Sequence, residues 1–212
     1  WYRKHLSLPE GIAGKRVSLE FEGVFLEAEV VVNGKAVGSH PGGYTGFALD
    51  ITTAAKAGDN VVAVRVNNNW NARVAPRSGE HVFSGGIYRN VWLVKTSHVH
   101  IGRWGTYVTT PQISKSSATL SLNATVDNDS PQAVAVSIAT DIFALDAYGN
   151  RTGRAVARVA PVAITIQPGK SAVTEGGTTI ANPKLWGPAP SQRPNRYVAV
   201  TTVRRDDTVV DH

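Results

Sequence analysis

The sequence predicts an all-β protein built as two successive sandwiches, and three observations predict it. β-Branched residues recur with apolar/polar alternation of period two, turn clusters rich in Gly, Pro, Asn and Asp separate them at short intervals, and long 3.6-period apolar stripes are missing. Size agrees with this. With 212 residues, 42% of them hydrophobic and 18% charged, the chain is long enough for two domains of ordinary length.

In the first half, Val17-Ser18-Leu19-Glu20-Phe21-Glu22 alternates apolar and polar side chains, as a half-buried strand requires. Glu27 to Val32 repeats the pattern and runs into Asn33-Gly34, a dipeptide suited to a type I′ turn, so Lys35 to Gly38 is expected to return as its partner. Further strands are predicted at Phe47–Asp50, Asn60–Asn67 and Ile87–Lys95. Between the first two, Thr52 to Ala57 reads as one helical turn, capped by Thr52 and stopped by Gly58.

The second half reads as strands at Val99–Val108, Ala118–Val126, Ala133–Asp146, Arg154–Ile166, Ser171–Ile180 and Asn195–Arg204. Asp127-Asn128-Asp129-Ser130-Pro131, Tyr148-Gly149-Asn150 and Gln167-Pro168-Gly169 supply the turns. This spacing suits a Greek-key sandwich of the immunoglobulin type. Turn signals reset near Thr96 to His98, dividing the chain into domains at 1–97 and 98–212. From Arg73 to Gly86 the strand pattern lapses. A connection that long is commonly functional or disordered.

Composition narrows the chemistry. No apolar run approaches the roughly 20 residues of a membrane helix. The absence of Cys removes disulfides, Cys-ligated zinc and thiol nucleophiles. The net charge of +6 is spread evenly, with 11 basic and 8 acidic residues on each side of Ser97, so no basic stripe points to nucleic acid. The chain opens on Trp1 and holds no Met, and it is expected to be an internal piece of a longer protein.

Catalytic constellations are missing from the pattern. Glu20, Glu22, Glu27 and Glu29 alternate as a solvated sheet face would, and no Gly-x-Ser-x-Gly elbow occurs. His98 and His100 share a strand face but lack a third ligand nearby, which reads as surface histidine at a domain junction. No metal and no cofactor are expected. Asn123, Asn128 and Asn150 each begin a glycosylation sequon.

Three stretches carry a resemblance. Val32 to Phe47, containing Asn33-Gly34-Lys35 and Ser39-His40-Pro41-Gly42-Gly43-Tyr44, with Asp50-Ile51-Thr52 beyond it, is similar to the central signature of the sugar-binding jelly-roll domain of glycoside hydrolase family 2. Ser84-Gly85-Gly86-Ile87-Tyr88-Arg89-Asn90-Val91-Trp92-Leu93 resembles that domain's final strand motif. Asn182-Pro183-Lys184-Leu185-Trp186-Gly187-Pro188 resembles the turn near the end of the family's immunoglobulin-like second domain.

The resemblance implies a jelly-roll sandwich of the galactose-binding-domain-like kind, short of its first strand, followed by an immunoglobulin-like sandwich. It implies a non-catalytic N-terminal part of a glycosidase, most commonly a β-galactosidase, with β-glucuronidases and β-mannosidases in the same family. Both catalytic glutamates would then lie outside this sequence, in an (α/β)8 barrel that is its expected partner, and carbohydrate would be met through the full-length enzyme. The loop before Ser84 is expected to reach the barrel mouth, with Glu80, His81 and Arg77 as candidate substrate-binding residues. Arg89 is expected to be a charge buried against a carboxylate or the neighbouring domain rather than a sugar contact. Tyr44, Phe47, Trp92 and Trp186 read as buried aromatics, which argues against the alternative of a free-standing carbohydrate-binding module; an adhesion-type sandwich pair is the third reading.

Overall fold

The computed structural model describes residues 1–74 and 84–212. The chain forms two compact units, Trp1–Ser97 and His98–His212, each with its own core.

The first unit packs two antiparallel sheets face to face. Strands β1 (Tyr2–Leu8), β2 (Arg16–Phe21), β3 (Val24–Phe25), β4 (Glu27–Val32), β5 (Lys35–Pro41), β6 (Phe47–Asp50), β7 (Gly58–Asn67), β8 (Gly86–Ile87) and β9 (Val91–Thr96) follow in order. One sheet runs β1-β7-β4-β5, the other β6-β2-β9, and β3 pairs with β8 alone. Alternation decides which side chains enter the core: Val17, Leu19 and Phe21 of β2 face Ala28, Val30 and Val32 of β4 and Val62 and Val64 of β7. Phe21 stacks on Phe47 at 4.7 Å between ring centroids. Each such side chain contributes about 1.5–3 kcal/mol by leaving water.

The Asn33-Gly34 turn joins β4 to β5 with both residues at positive φ, 50° and 81°, and Val32 opposite Lys35. Its side chain does more than permit the turn. Asn33 Nδ2 donates to Ala54 O and to Asn60 Oδ1, and Asn33 Oδ1 accepts the Val61 N–H. Asn60 is fully buried and donates in turn to Lys56 O and Gly58 O. These amides tie the hairpin to the segment before β7, so few buried polar groups there go unanswered.

Two local expectations need correction. Thr52–Ala57 is a bare turn: Ala55 N bonds Ile51 O, but the Thr52 hydroxyl is engaged with the backbone of Val17, and Asp50 takes the Thr52 N–H. Gly58, at φ 80°, opens β7 rather than ending a helix. Ile87–Lys95 divides into β8 and β9, because Tyr88 turns away to donate its hydroxyl to Gly43 O, and Asn90 O takes the Glu22 N–H. Strand β1 and the short turn Glu10–Ile12 were not foreseen.

The second unit holds β10 (Val99–Ile113), β11 (Ser117–Asn128), β12 (Val134–Leu145), β13 (Arg151–Ile166), β14 (Lys170–Ala181), β15 (Arg196–Arg205) and β16 (Thr208–Asp211). Its sheets are β10-β11-β14 and β13-β12-β15-β16. β11 alternates almost perfectly, burying Ala118, Leu120, Leu122, Ala124, Val126 and Asn128. Val126, Val203, Ile138 and Ile166 fill the main core, and the hydroxyls of Thr140 and Thr201 satisfy one another within it at 2.9 Å. Buried Asn128 organises its turn, donating to Gln132 O and Ile166 O and accepting from Ser130. Its amide is thereby withdrawn from the sequon reading. Among the described residues the fold is all-β apart from the 3-10 turn Glu10–Ile12, a jelly-roll-type sandwich followed by an immunoglobulin-like one.

Candidate functional site

The rim of the first unit gathers amides, a carboxylate and an aromatic ring where β4 begins and β5 and β7 end. Glu27 and Asn67 are register partners across β4 and β7. One Glu27 oxygen accepts Asn67 Nδ2 at 3.0 Å, and the other accepts Asn71 Nδ2 at 2.8 Å. Asn71 Oδ1 takes the Arg73 N–H, and Asn67 Oδ1 takes the Asn69 N–H. The carboxylate thus fixes the loop 67–74 through side chains that cap its backbone.

Opposite this loop lies the turn Gly42-Gly43-Tyr44-Thr45. Gly42 N bonds Leu26 O, and a Cβ on Gly43 would run into the Phe25 ring, so glycine there lets the turn lie flat on the sheet. The His40 ring stacks on Phe47 at 4.4 Å and bonds the Thr45 hydroxyl through Nε2. Pro41 to Thr45, together with Arg73 and Val74, encloses a shallow cleft of about 360 Å³. Val74, the last described residue before position 84, is part of this cleft's lining. Arg77, Glu80 and His81 lie outside the described residues.

Within the described rim, the groups suit recognition of hydroxyls rather than bond cleavage. Both Glu27 oxygens are engaged by amides, and Arg73 and Tyr44 stand at the edge of an open cleft. Glu27 was read as one of a solvated row; it is instead half-buried and structural. The run Asn67-Asn68-Asn69 with Asn71, facing a Glu in an adjacent strand, was the available signal. Glu22 also departs from that row, since it accepts the Trp92 indole N–H at 2.8 Å and lies 3.5 Å from the Arg89 guanidinium. Arg89 does meet a carboxylate, but it is not the buried charge expected: the pair lies on the exposed surface, where such pairs are worth about 0–1 kcal/mol.

The aromatic and histidine readings change further. Phe47 is buried, whereas Tyr44 is 60% exposed and leans its ring on Phe25. All five tryptophans are exposed, Trp92 and Trp186 included, so buried aromatics no longer argue against a carbohydrate-binding module. His100 is no surface residue: it is 4% exposed, with Nε2 3.9 Å from the Asp127 carboxylate and Nδ1 without a partner among the described residues. No group of three or more His, Cys, Asp or Glu able to hold a metal ion occurs among the described residues.

Two shifted groups mark well-made surface contacts in the second unit. Hydrogen bonds from the Asn150 backbone and side chain, with those from Tyr148 and Gly149, hold the Asp146 carboxyl below its ordinary value. The hydrogen bond and charge of Asp141 raise Arg158.

Comparison with known proteins matches both units. Residues 1–97 match the family model described as glycosyl hydrolases family 2, sugar binding domain, and residues 99–212 match that described as glycosyl hydrolases family 2. Beta-galactosidase BoGH2A of Bacteroides ovatus is 37% identical over 213 residues, covering the whole chain and 23% of the relative. A beta-glucuronidase of Formosa agariphila is 31% identical over 236 residues, covering the whole chain and 22% of the relative. Among solved structures, a Bacteroides uniformis beta-glucuronidase superposes with a TM-score of 0.83 at 31% identity, over 99% of this chain and 25% of that one. The chain spans about a quarter of the length of the curated relatives it matches. With one family matched in sequence order across both units, and relatives above 30% identity covering the chain from end to end, the chain belongs to glycosyl hydrolase family 2.

Proposed function

We propose that this chain is the non-catalytic, N-terminal part of a family 2 glycosidase acting on β-galactosides, and that its first unit lends the rim of a sugar site to a catalytic barrel carried elsewhere in the polypeptide. The observation that carries this reading is the ordered match of both family models, from residue 1 to residue 212, with relatives about four times as long. Glycoside hydrolysis needs an acid and a second carboxylate placed across the scissile bond. The described rim offers Glu27, whose oxygens are both engaged, so it supports binding and not cleavage. Residues 75–83 follow Val74, which lines the cleft, and carry Arg77, Glu80 and His81 as the substrate-binding candidates.

The test is kinetic. The 212-residue chain is expected to turn over no nitrophenyl β-galactoside, and the full polypeptide to do so. In the latter, Glu80→Ala, His81→Ala or Arg77→Ala should weaken transition-state binding by about 1–3 kcal/mol, read as kcat/KM. Turnover by the chain alone that vanishes on mutating one of its own acids sinks the proposal. Preference for a β-glucuronide over a β-galactoside in the full polypeptide would reassign the substrate, an outcome the names of several relatives make worth including. The five exposed tryptophans favour one further arm, because a fluorescence change of the isolated chain on adding sugar would support the binding-module reading instead.

A further inference from the structure

We propose that Arg103 and Trp104 form a preset anchor on which the polypeptide following His212 docks, an inference that rests on the reading that a catalytic domain follows these two units. The anchor is a bulge in β10. Its ladder with β11 pairs Ile101 with Val126 and resumes only at Thr106 with Ala124, so Gly102, Arg103, Trp104 and Gly105 stand opposite Thr125 alone.

The bulge is held in a demanding conformation. Trp104 sits at φ 54°, in the left-handed region that L side chains rarely adopt. Gly105 cannot be replaced, because a Cβ there would fall 2.6 Å from Gly102 O and 2.7 Å from Thr125 O. A Cβ on Gly102 would press on the Asp127 carboxylate at 3.0 Å. Strain of this kind persists only where the surroundings over-determine it, and it gathers at functional sites. Here the unit itself gains little packing in return, since the Trp104 side chain is 80% exposed.

The residue types fit an interface. The Arg103 guanidinium lies 4.4 Å above the Trp104 ring, and Tyr107, also exposed, follows in the same strand. Trp, Tyr and Arg are the residues that dominate binding energy at protein interfaces. One face of the indole is already taken by Arg103, which suits insertion of the ring edge into an apolar socket more than it suits laying a sugar on an open platform.

The position of the C-terminal segment selects the occupant. Asp211 ends β16, and its Oδ2 accepts the Ile101 N–H at 2.7 Å, one residue before the bulge begins; its Oδ1 takes the His212 N–H. Whatever follows His212 therefore starts next to the residue whose neighbour opens the bulge, three positions before Trp104 in the same strand. A covalently delivered partner works at high effective concentration, so a small anchor of this kind is enough to set its place.

Acrylamide quenching of tryptophan emission tests this, with Trp104→Phe subtracted to isolate the contribution of Trp104. In the 212-residue chain Trp104 should be freely quenched, and in the full polypeptide several-fold less so. Arg103→Ala and Trp104→Ala in the full polypeptide should speed proteolytic cleavage just after His212 several-fold, while Trp186→Ala, at another exposed tryptophan of the second unit, leaves it unchanged. Equal quenching of Trp104 in both forms overturns the anchor, as does protection of Trp104 in the short chain by added galactoside, which would make it a saccharide site. Activity separates the two readings: an active full polypeptide with Trp104 still open defeats the anchor alone, and an inactive one with Trp104 shielded defeats the assigned glycosidase activity alone.

Discussion

Glu27 and Asn60 do for this protein what an apolar core cannot, which is to fix loops whose backbone groups would otherwise go unpaired. Asn60 is buried, accepts from Asn33 Nδ2 and the Lys56 N–H and donates to Lys56 O and Gly58 O, so Asn60→Ala strands several donors and acceptors at once, each costing about 1–3 kcal/mol when left unsatisfied. A loss of at least that size in urea unfolding is expected. Glu27→Ala frees the side chains of Asn67 and Asn71 and should cost less, since both can turn to water, but it should raise hydrogen exchange across residues 67–74. Asp146 gives a pH prediction. Its carboxyl is held below its ordinary value in the folded chain, so its contribution is present above the unfolded value and is lost as pH falls through the folded one. Asp146→Asn should therefore lower the melting temperature at neutral pH, and the difference from wild type should close as both are taken into the acid range. At this scale the sequence was hard to read: His100 and Tyr44 exchanged the surroundings expected of them, because one residue's polarity says little about which strand register carries it inward.

Strands were legible where alternation was strict and turn chemistry was explicit. Glu27–Val32 with Asn33-Gly34 states both the face and the stopping point, and β11 buries every second residue along its length. Strand β1 carries Arg3, Lys4 and His5 and buries only Leu8 outright, so it offers no alternation to detect; it forms because β7 has an open edge to pair along seven residues. The Thr52 turn misled because a hydroxyl suited to capping had a backbone partner at Val17, 35 residues away. The core strands should answer to volume in the ordinary way. Phe21→Ala removes a fully buried ring stacked on Phe47 and should cost about 3–5 kcal/mol, measured by thermal or denaturant unfolding of the first unit.

On the scale of the molecule, two cores with separate contact sets predict separable folding. Chains cut after Ser97 should each unfold cooperatively, and Phe21→Ala should shift the transition of the first half while leaving the second untouched. The motifs in three places conveyed the family plan more fully than any single strand did, whereas the residues given the most specific role, Arg77, Glu80 and His81, sit in a segment with no alternation or turn rule to read. The Asn33-Gly34 turn has a bearing on how the molecule ages. Asn followed by Gly is the pair most prone to deamidation, because the glycine backbone nitrogen can reach the asparagine side-chain carbon and close a succinimide. Folding forestalls that ring closure: the Asn33 amide is held in place by hydrogen bonds with Ala54, Asn60 and Val61, which restrict the rotation that the attack of the Gly34 nitrogen requires. Native protein should thus keep Asn33 intact in storage, while protein held in denaturant accumulates aspartate and isoaspartate there, as peptide mass mapping would record. The aged chain would then refold poorly, having exchanged the amide that joins the hairpin to Asn60 for a charge.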